Sequence, residues 1–250
     1  MKPSVFLACA IAAVGAAGVN GGATAAPAKT SHPVPAKPGD WTKVVRPTAE
    51  GGFVMGNPEA PVKLVEYGSM TCPHCRAFDS EGVPTLVGKY VKSGQVSWEF
   101  RNYVRDAFDM SAALVARCGG TNAFFPLSRT LFHEQPNWVA KIQATPEDQL
   151  KSVDSVPLNR RFLALARIAG LQQLAATNGL PAARSTQCLS NEKAVKQLAD
   201  MDAQATTQFP DFAGTPTFIL NGKMLERTAT WDALEPQLKA ALATRGQGVK

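Results

Sequence analysis

The stretch that decides the fold runs from Phe53 to Cys75, FVMGNPEAPVKLVEYGSMTCPHC. Val62, Leu64 and Val65 lead into Glu66-Tyr67 and then a turn of small residues, which predicts a buried strand followed by a loop. From Cys72 onward the spacing becomes helical. Phe78, Val83, Leu86, Val87 and Tyr90 recur every three or four residues until Ser93-Gly94 ends the element. A second strand, Val96 to Phe100, follows at once. Strand, helix and strand over residues 62–104 make a βαβ unit with a helix long enough for a crossover. The Cys72-Pro73-His74-Cys75 motif therefore opens a helix that follows a strand.

Working outward, residues 107–207 read as helical throughout. Phe124, Phe125, Leu127, Leu131 and Phe132 fall at helix spacing and are expected in the core, as do Phe162, Leu165, Ile168 and Leu171. Strand character returns after Gly214-Thr215-Pro216 with Thr217 to Leu220, and Asn221-Gly222 signals a hairpin into Met224-Leu225. Trp231, Leu234, Leu238 and Leu242 close the chain as a helix. These β-rich ends around a helical middle predict an α/β domain interrupted by an all-helical insertion. Its first part spans 43–106, the insertion 107–207 and the second part 208–250.

The chain has 250 residues, 45% hydrophobic and 18% charged, with a formal charge of +6. That is globular composition, and it excludes a disordered or fibrous chain. The basic residues are scattered, which argues against nucleic-acid binding. At the N-terminus, Lys2, the apolar run Val5 to Val14 and the small-residue site Ala23-Thr24-Ala25 have the layout of a secretory signal peptide over 1–25. Residues 26–42 are rich in proline and alanine and read as a flexible tether. No later segment is a membrane-span candidate. Cys9 would leave with the signal, and Cys72, Cys75, Cys118 and Cys188 remain in a compartment that permits disulfides.

A thiolate is the nucleophile of thiol–disulfide exchange, and a second thiol one helical turn on can resolve the mixed disulfide. A helix N-terminus offers free N–H groups and the positive end of the macrodipole, and both favour a thiolate at Cys72. Cys72 is then the attacked, more accessible sulfur and Cys75 the deeper, resolving one. Stabilising the thiolate stabilises the reduced form, which predicts an oxidant. A zinc or copper site using Cys72 and Cys75 is the rival, with Cys118, Cys188, His32 and His133 as irregularly spaced further ligands. A purely structural bridge is another. Neither His32 nor His133 is expected to be a ligand, and the expectation is no metal.

The segment Gly56 to Val62, then Glu66-Tyr67, Cys72-Pro73-His74-Cys75 and, about 140 residues later, Gly214 to Phe218 resembles the DsbA-like thiol:disulfide oxidoreductases of the thioredoxin superfamily. The resemblance covers roughly residues 43–245, and it includes the helical insertion. It implies a thioredoxin fold, a central mixed sheet flanked by helices, and donation of the Cys72–Cys75 disulfide to exported proteins without a cofactor. Pro73 and His74 form the dipeptide associated with oxidising members. Thr215-Pro216 matches a cis-proline loop that binds an extended substrate strand, with Thr215 at a position linked to redox tuning. Glu66 matches a buried acid that accepts or relays the Cys75 proton, the alternative being a partly exposed strand-end residue. Some such proteins carry a second disulfide in the helical region, which Cys118 and Cys188 would supply, with two buried free thiols as the alternative. The implied partners are reduced or unfolded exported proteins and a membrane quinone-linked reoxidase, the implied location is the periplasm, and the implied state is a monomer. A reductase or isomerase is the alternative enzyme.

Overall fold

In a computed structural model, residues 39–246 are described. The signal peptide, most of the tether, Cys9 and His32 lie outside these residues. Asp40, Trp41 and Thr42, which the sequence reading places in the tether, form part of an ordered entry to the domain. The Asp40 side chain accepts from the Thr42 amide at 3.2 Å and caps a single 3-10 turn, Trp41–Lys43. The Trp41 amide donates to the Lys92 carbonyl, and its indole lies where a Cβ at Gly94 would sit 2.7 Å away. Gly94 also has φ +79°, so glycine is required there on both counts.

Six strands form one sheet: β1 (Val45–Pro47), β2 (Phe53–Met55), β3 (Val62–Gly68), β4 (Val96–Asn102), β5 (Thr217–Leu220) and β6 (Lys223–Met224), in the order β1-β2-β4-β3-β5-β6. The pair β3 and β4 is parallel, with Leu64 opposite Trp98 and Glu66 opposite Phe100. The pair β3 and β5 is antiparallel, with Tyr67 opposite Thr217. The strand preceding the CxxC motif is thus central, which matches its near-continuous burial.

Between β3 and β4 run α1 (Pro73–Glu81), a short α2 (Val83–Thr85) and a π-helical turn, Leu86–Val91. Pro73 at the first helical position suits a ring that lacks an N–H. Phe78 of α1 packs on Phe218 of β5 at 4.7 Å and ties the helix to the sheet.

Eight helices separate β4 from β5: α3 (Ala107–Cys118), α4 (Phe124–His133), α5 (Gln135–Gln143), α6 (Glu147–Ser152), α7 (Leu158–Ile168), α8 (Leu171–Thr177), α9 (Ala182–Leu189) and α10 (Glu192–Gln208). A final α11 (Trp231–Gly246) follows β6. Every residue of α3 from Asp109 to Ala116 is buried, so this helix is the core of the insertion. The end of the insertion is two helices and not one continuous run. Asn191 lies between them and accepts from the amides of Lys193 and Ala194, starting α10 afresh. Phe124 stacks on Phe53 at 4.2 Å and Phe125 lies 4.9 Å from Trp98, so the two aromatics join insertion to sheet. Strands β1 and β2 have no counterpart in the sequence reading. Each has three residues, too few to show alternation.

Candidate functional site

Helix α1 begins at the C-terminal end of the central strand, so the CxxC motif sits where β3 delivers it. Cys72 is the N-cap of α1 and Cys75 lies within the first turn. Both are free thiols and both are buried, Cys72 at 3% exposure and Cys75 at 0%. The greater accessibility expected of Cys72 is therefore slight, and what separates the two sulfurs is their electrostatics.

Cys72 Sγ donates to the Thr215 carbonyl at 3.2 Å, across 143 residues of chain. The Thr215-Pro216 peptide is cis and Pro216 is buried. A cavity of about 600 Å³ opens beside this loop, lined by Asp211, Gly214, Thr215, Pro216, Leu225 and Arg227 among others. The Cys72 thiol is pulled down to about 5, first by a hydrogen bond from the Cys75 thiol, against the cost of burial, and then by Thr215 and the amides of Cys75 and His74. The Thr215 hydroxyl is buried with no other partner in the described residues, so a thiolate at Cys72 gives it one. Cys75 is shifted the other way. Burial pushes it well above its ordinary value, and the Cys72 and Glu66 charges push in the same direction. Pro73 and His74 are exposed, leaving the His74 side chain on the surface and its amide as the contributor to Cys72.

Glu66 is 1% exposed, which overturns the exposed strand-end alternative. It lies on the same face of β3 as Val62 and Leu64, and its carboxylate accepts from Trp98 Nε1 at 3.1 Å. Burial raises its pKa well above the ordinary 4.5, and the charge of Asp79 adds to the rise. A carboxyl so raised holds its proton in the folded chain after the unfolded chain has released it. Folding stability therefore falls as pH climbs above about 4.5 toward the folded value. The Glu66→Gln variant keeps an acceptor for Trp98 and lacks that slope. It should match the parent in urea unfolding near pH 4 and unfold at a higher urea concentration than the parent near pH 8. Equal stability at both pH values would show that the carboxyl titrates normally.

The structure also brings in residues that sequence reasoning missed. Asp109 of α3 is buried and accepts from Ser69 Oγ at 2.6 Å, the Met70 amide at 2.8 Å and the Arg105 amide at 2.9 Å. Burial pushes its carboxyl up to about 7 against these donors. Gln135 Nε2 donates to the carbonyls of Met70 at 2.7 Å and Cys72 at 3.0 Å. The only sequence signal for Asp109 is the Asp106-x-x-Asp109 helix start, where the Asp106 side chain accepts from the Asp109 amide.

Cys118 and Cys188 are disulfide-bonded to each other, tying α3 to α9 far along the chain from the dithiol. Two of the sulfurs that a metal site at Cys72 and Cys75 would draw on are thereby used. Among the described residues no group of three or more His, Cys, Asp or Glu side chains could hold a metal ion. His133 is exposed and pairs with Glu134.

A family model described as Thioredoxin matches residues 48–240. The chain belongs to the thioredoxin family. Within it, the helices between β4 and β5 give this thioredoxin-family protein a DsbA-like fold. The crystal structure of a protein-disulfide isomerase from Novosphingobium aromaticivorans is similar with a TM-score of 0.72 at 34% identity, covering 76% of this chain and 96% of that one. Alpha-DsbA1 of Wolbachia pipientis shares the fold with a TM-score of 0.63 at 19% identity, covering 79% and 94%. A Rickettsia prowazekii relative, provisionally named a protein-disulfide oxidoreductase, is 27% identical over 186 residues, which is 74% of this thioredoxin-family chain. The chain spans 60% of that relative's length.

Proposed function

We propose that this protein is an exported thiol:disulfide oxidoreductase that donates the Cys72–Cys75 disulfide to cysteine pairs of other exported proteins. The observation that carries the reading is the opposed pair of thiols, Cys72 lowered to about 5 and Cys75 raised well above its ordinary value, at a helix N-terminus facing Thr215. A thiol whose thiolate is stabilised is the better leaving group from a mixed disulfide, and it makes the reduced enzyme the favoured product.

In the oxidised enzyme a substrate thiolate attacks Cys72 Sγ. The Cys72–Cys75 bond breaks, the Cys75 sulfur leaves with the electron pair, and its high proton affinity draws a proton to it. Glu66 beneath the site is the group suited to supply or relay that proton. A second substrate thiolate then attacks the substrate sulfur of the mixed disulfide and expels Cys72 as a thiolate. The substrate is oxidised by two electrons and the enzyme reduced by two. A membrane quinone-linked partner is the proposed acceptor of those electrons, no cofactor being needed in the transfer itself. Thr215 and Pro216 beside their cavity are the proposed seat of the extended substrate segment, and a signal peptide over 1–25 the route to the periplasm. The protein is proposed to act as a monomer.

An isomerase is the second reading, favoured by the likeness to the Novosphingobium protein-disulfide isomerase. Recovery of native pairing in a scrambled-disulfide model protein given the reduced enzyme tests the isomerase, and equilibration of mature protein against glutathione buffers, with Cys72 and Cys75 counted by alkylation and mass spectrometry, tests the donor. A dithiol that persists to potentials above roughly −200 mV is expected. A Cys72–Cys75 disulfide that survives below about −300 mV would instead overturn the donor role.

A further inference from the structure

Between the end of β3 and the start of α1 the chain crosses four residues, Ser69, Met70, Thr71 and Cys72, outside both sheet and helix. Ser69 and Met70 are fully buried, so each polar group here needs a partner from elsewhere. Local contacts supply some. The Cys72 amide donates to the Ser69 carbonyl at 3.2 Å, and the Thr71 amide to Ser69 Oγ at 3.2 Å. The rest come from the helical insertion. Asp109 takes the Met70 amide and the Ser69 hydroxyl, Asp106 takes the Thr71 hydroxyl at 3.1 Å, and one nitrogen of Gln135 bridges the carbonyls of Met70 and Cys72. Asp109 is 1% exposed and Gln135 4%, so neither contact competes with water.

The loop in turn sets both sulfurs. Its last residue is Cys72, and the Ser69 amide donates to Cys75 Sγ at 3.5 Å. We propose that Asp109 and Gln135 are positioning residues for the dithiol: from the insertion they hold Ser69 to Cys72 so that Cys72 Sγ meets Thr215 and the first amides of α1. The insertion thereby completes the geometry of the CxxC site, over sequence separations of 39 residues for Asp109 to Met70 and 63 for Gln135 to Cys72. This deepens the exchange reading and rests on it.

The test is the pH profile of Cys72 alkylation in the reduced protein, together with disulfide transfer to a reduced model protein. Gln135→Met removes the donor at similar volume, and Asp109→Asn replaces an acceptor with an amide. Each should move the midpoint up by about one pH unit, a tenfold loss of alkylation rate below it. Ser69→Ala, a small change suited to folding if Asp109→Asn does not, should move it the same way by less. Asp202→Asn is the control, because Asp202 accepts from the Val104 amide at 2.9 Å and touches no loop residue. It keeps an oxygen acceptor for that amide and should leave the midpoint in place. Profiles of folded Gln135→Met and Ser69→Ala that superimpose on the parent would overturn the assignment, and so would an equal shift in Asp202→Asn. A parent protein that transfers no disulfide would instead remove the exchange reading, while the midpoints still decide the positioning role.

Discussion

Replacing Cys72 by serine is expected to reduce disulfide transfer by at least about a thousandfold, to the level of uncatalysed exchange. With its pKa near 5, Cys72 at pH 7 holds about a hundred thiolates for each thiol, whereas a cysteine at the ordinary 9.0 would hold about one per hundred thiols. Part of that gain is offset, since nucleophilicity declines as pKa falls. The larger benefit is to Cys72 as a leaving group. Cys75 has no means to substitute for it. It is fully buried, its pKa is raised, and the Ser69 amide is the donor on its sulfur. Cys75→Ser should therefore behave differently from Cys72→Ser, because the attacking step survives and the resolving step is lost. The reduced Cys75→Ser protein should accumulate a mixed disulfide when offered a disulfide substrate, visible as an added mass on Cys72. If Cys72→Ser gives the same adduct on Cys75, the order of the two sulfurs is reversed.

The frame of this site is legible in the sequence because short-range pattern encodes it. Val62 to Tyr67 reads as a buried strand, the CxxC motif opens a helix, and Asn221-Gly222 announces the hairpin that joins β5 to β6. Glu66 is also reachable, since its position in β3 puts it on the face of Val62 and Leu64, although only packing under Trp98 shows it buried. What the sequence does not reveal is long-range. Asp109 and Gln135 look like an ordinary first-turn acid and an amide before Pro136, and nothing nearby marks the carbonyls and amides they satisfy. The same holds for Arg117, whose desolvated guanidinium drops to about 10 while it donates to the Gly51 carbonyl and Gln197. Strands β1 and β2 are missed for another reason. Pro47, Gly51 and Gly52 break the pattern in and between them, and pairing of β2 with β4 and of β1 with β2 supplies what propensity does not.

The Cys118→Ala, Cys188→Ala double variant is expected to lose about 4 kcal/mol of stability while its folded molecules keep normal exchange. The bond closes a loop with a sequence separation of 70, and the chain-entropy relation for that length gives roughly 4 kcal/mol. The closed segment holds α4 to α8, whose ends would otherwise be freed in the unfolded chain. Activity should be insulated from this loss by the length of α3. Asp109, which holds the CxxC loop, lies in the first turn of that helix, and Cys118 is its last residue. Nine residues of rise put about 13 Å between them. The helix between is buried on every side, so it remains packed in place without the bond. Urea unfolding of parent and variant at one pH, with exchange measured per folded molecule at low temperature, checks both halves. An unchanged unfolding midpoint would mean that the loop is already constrained in the unfolded state. Lost exchange in fully folded variant would mean that the far end of α3 governs the loop that holds the dithiol.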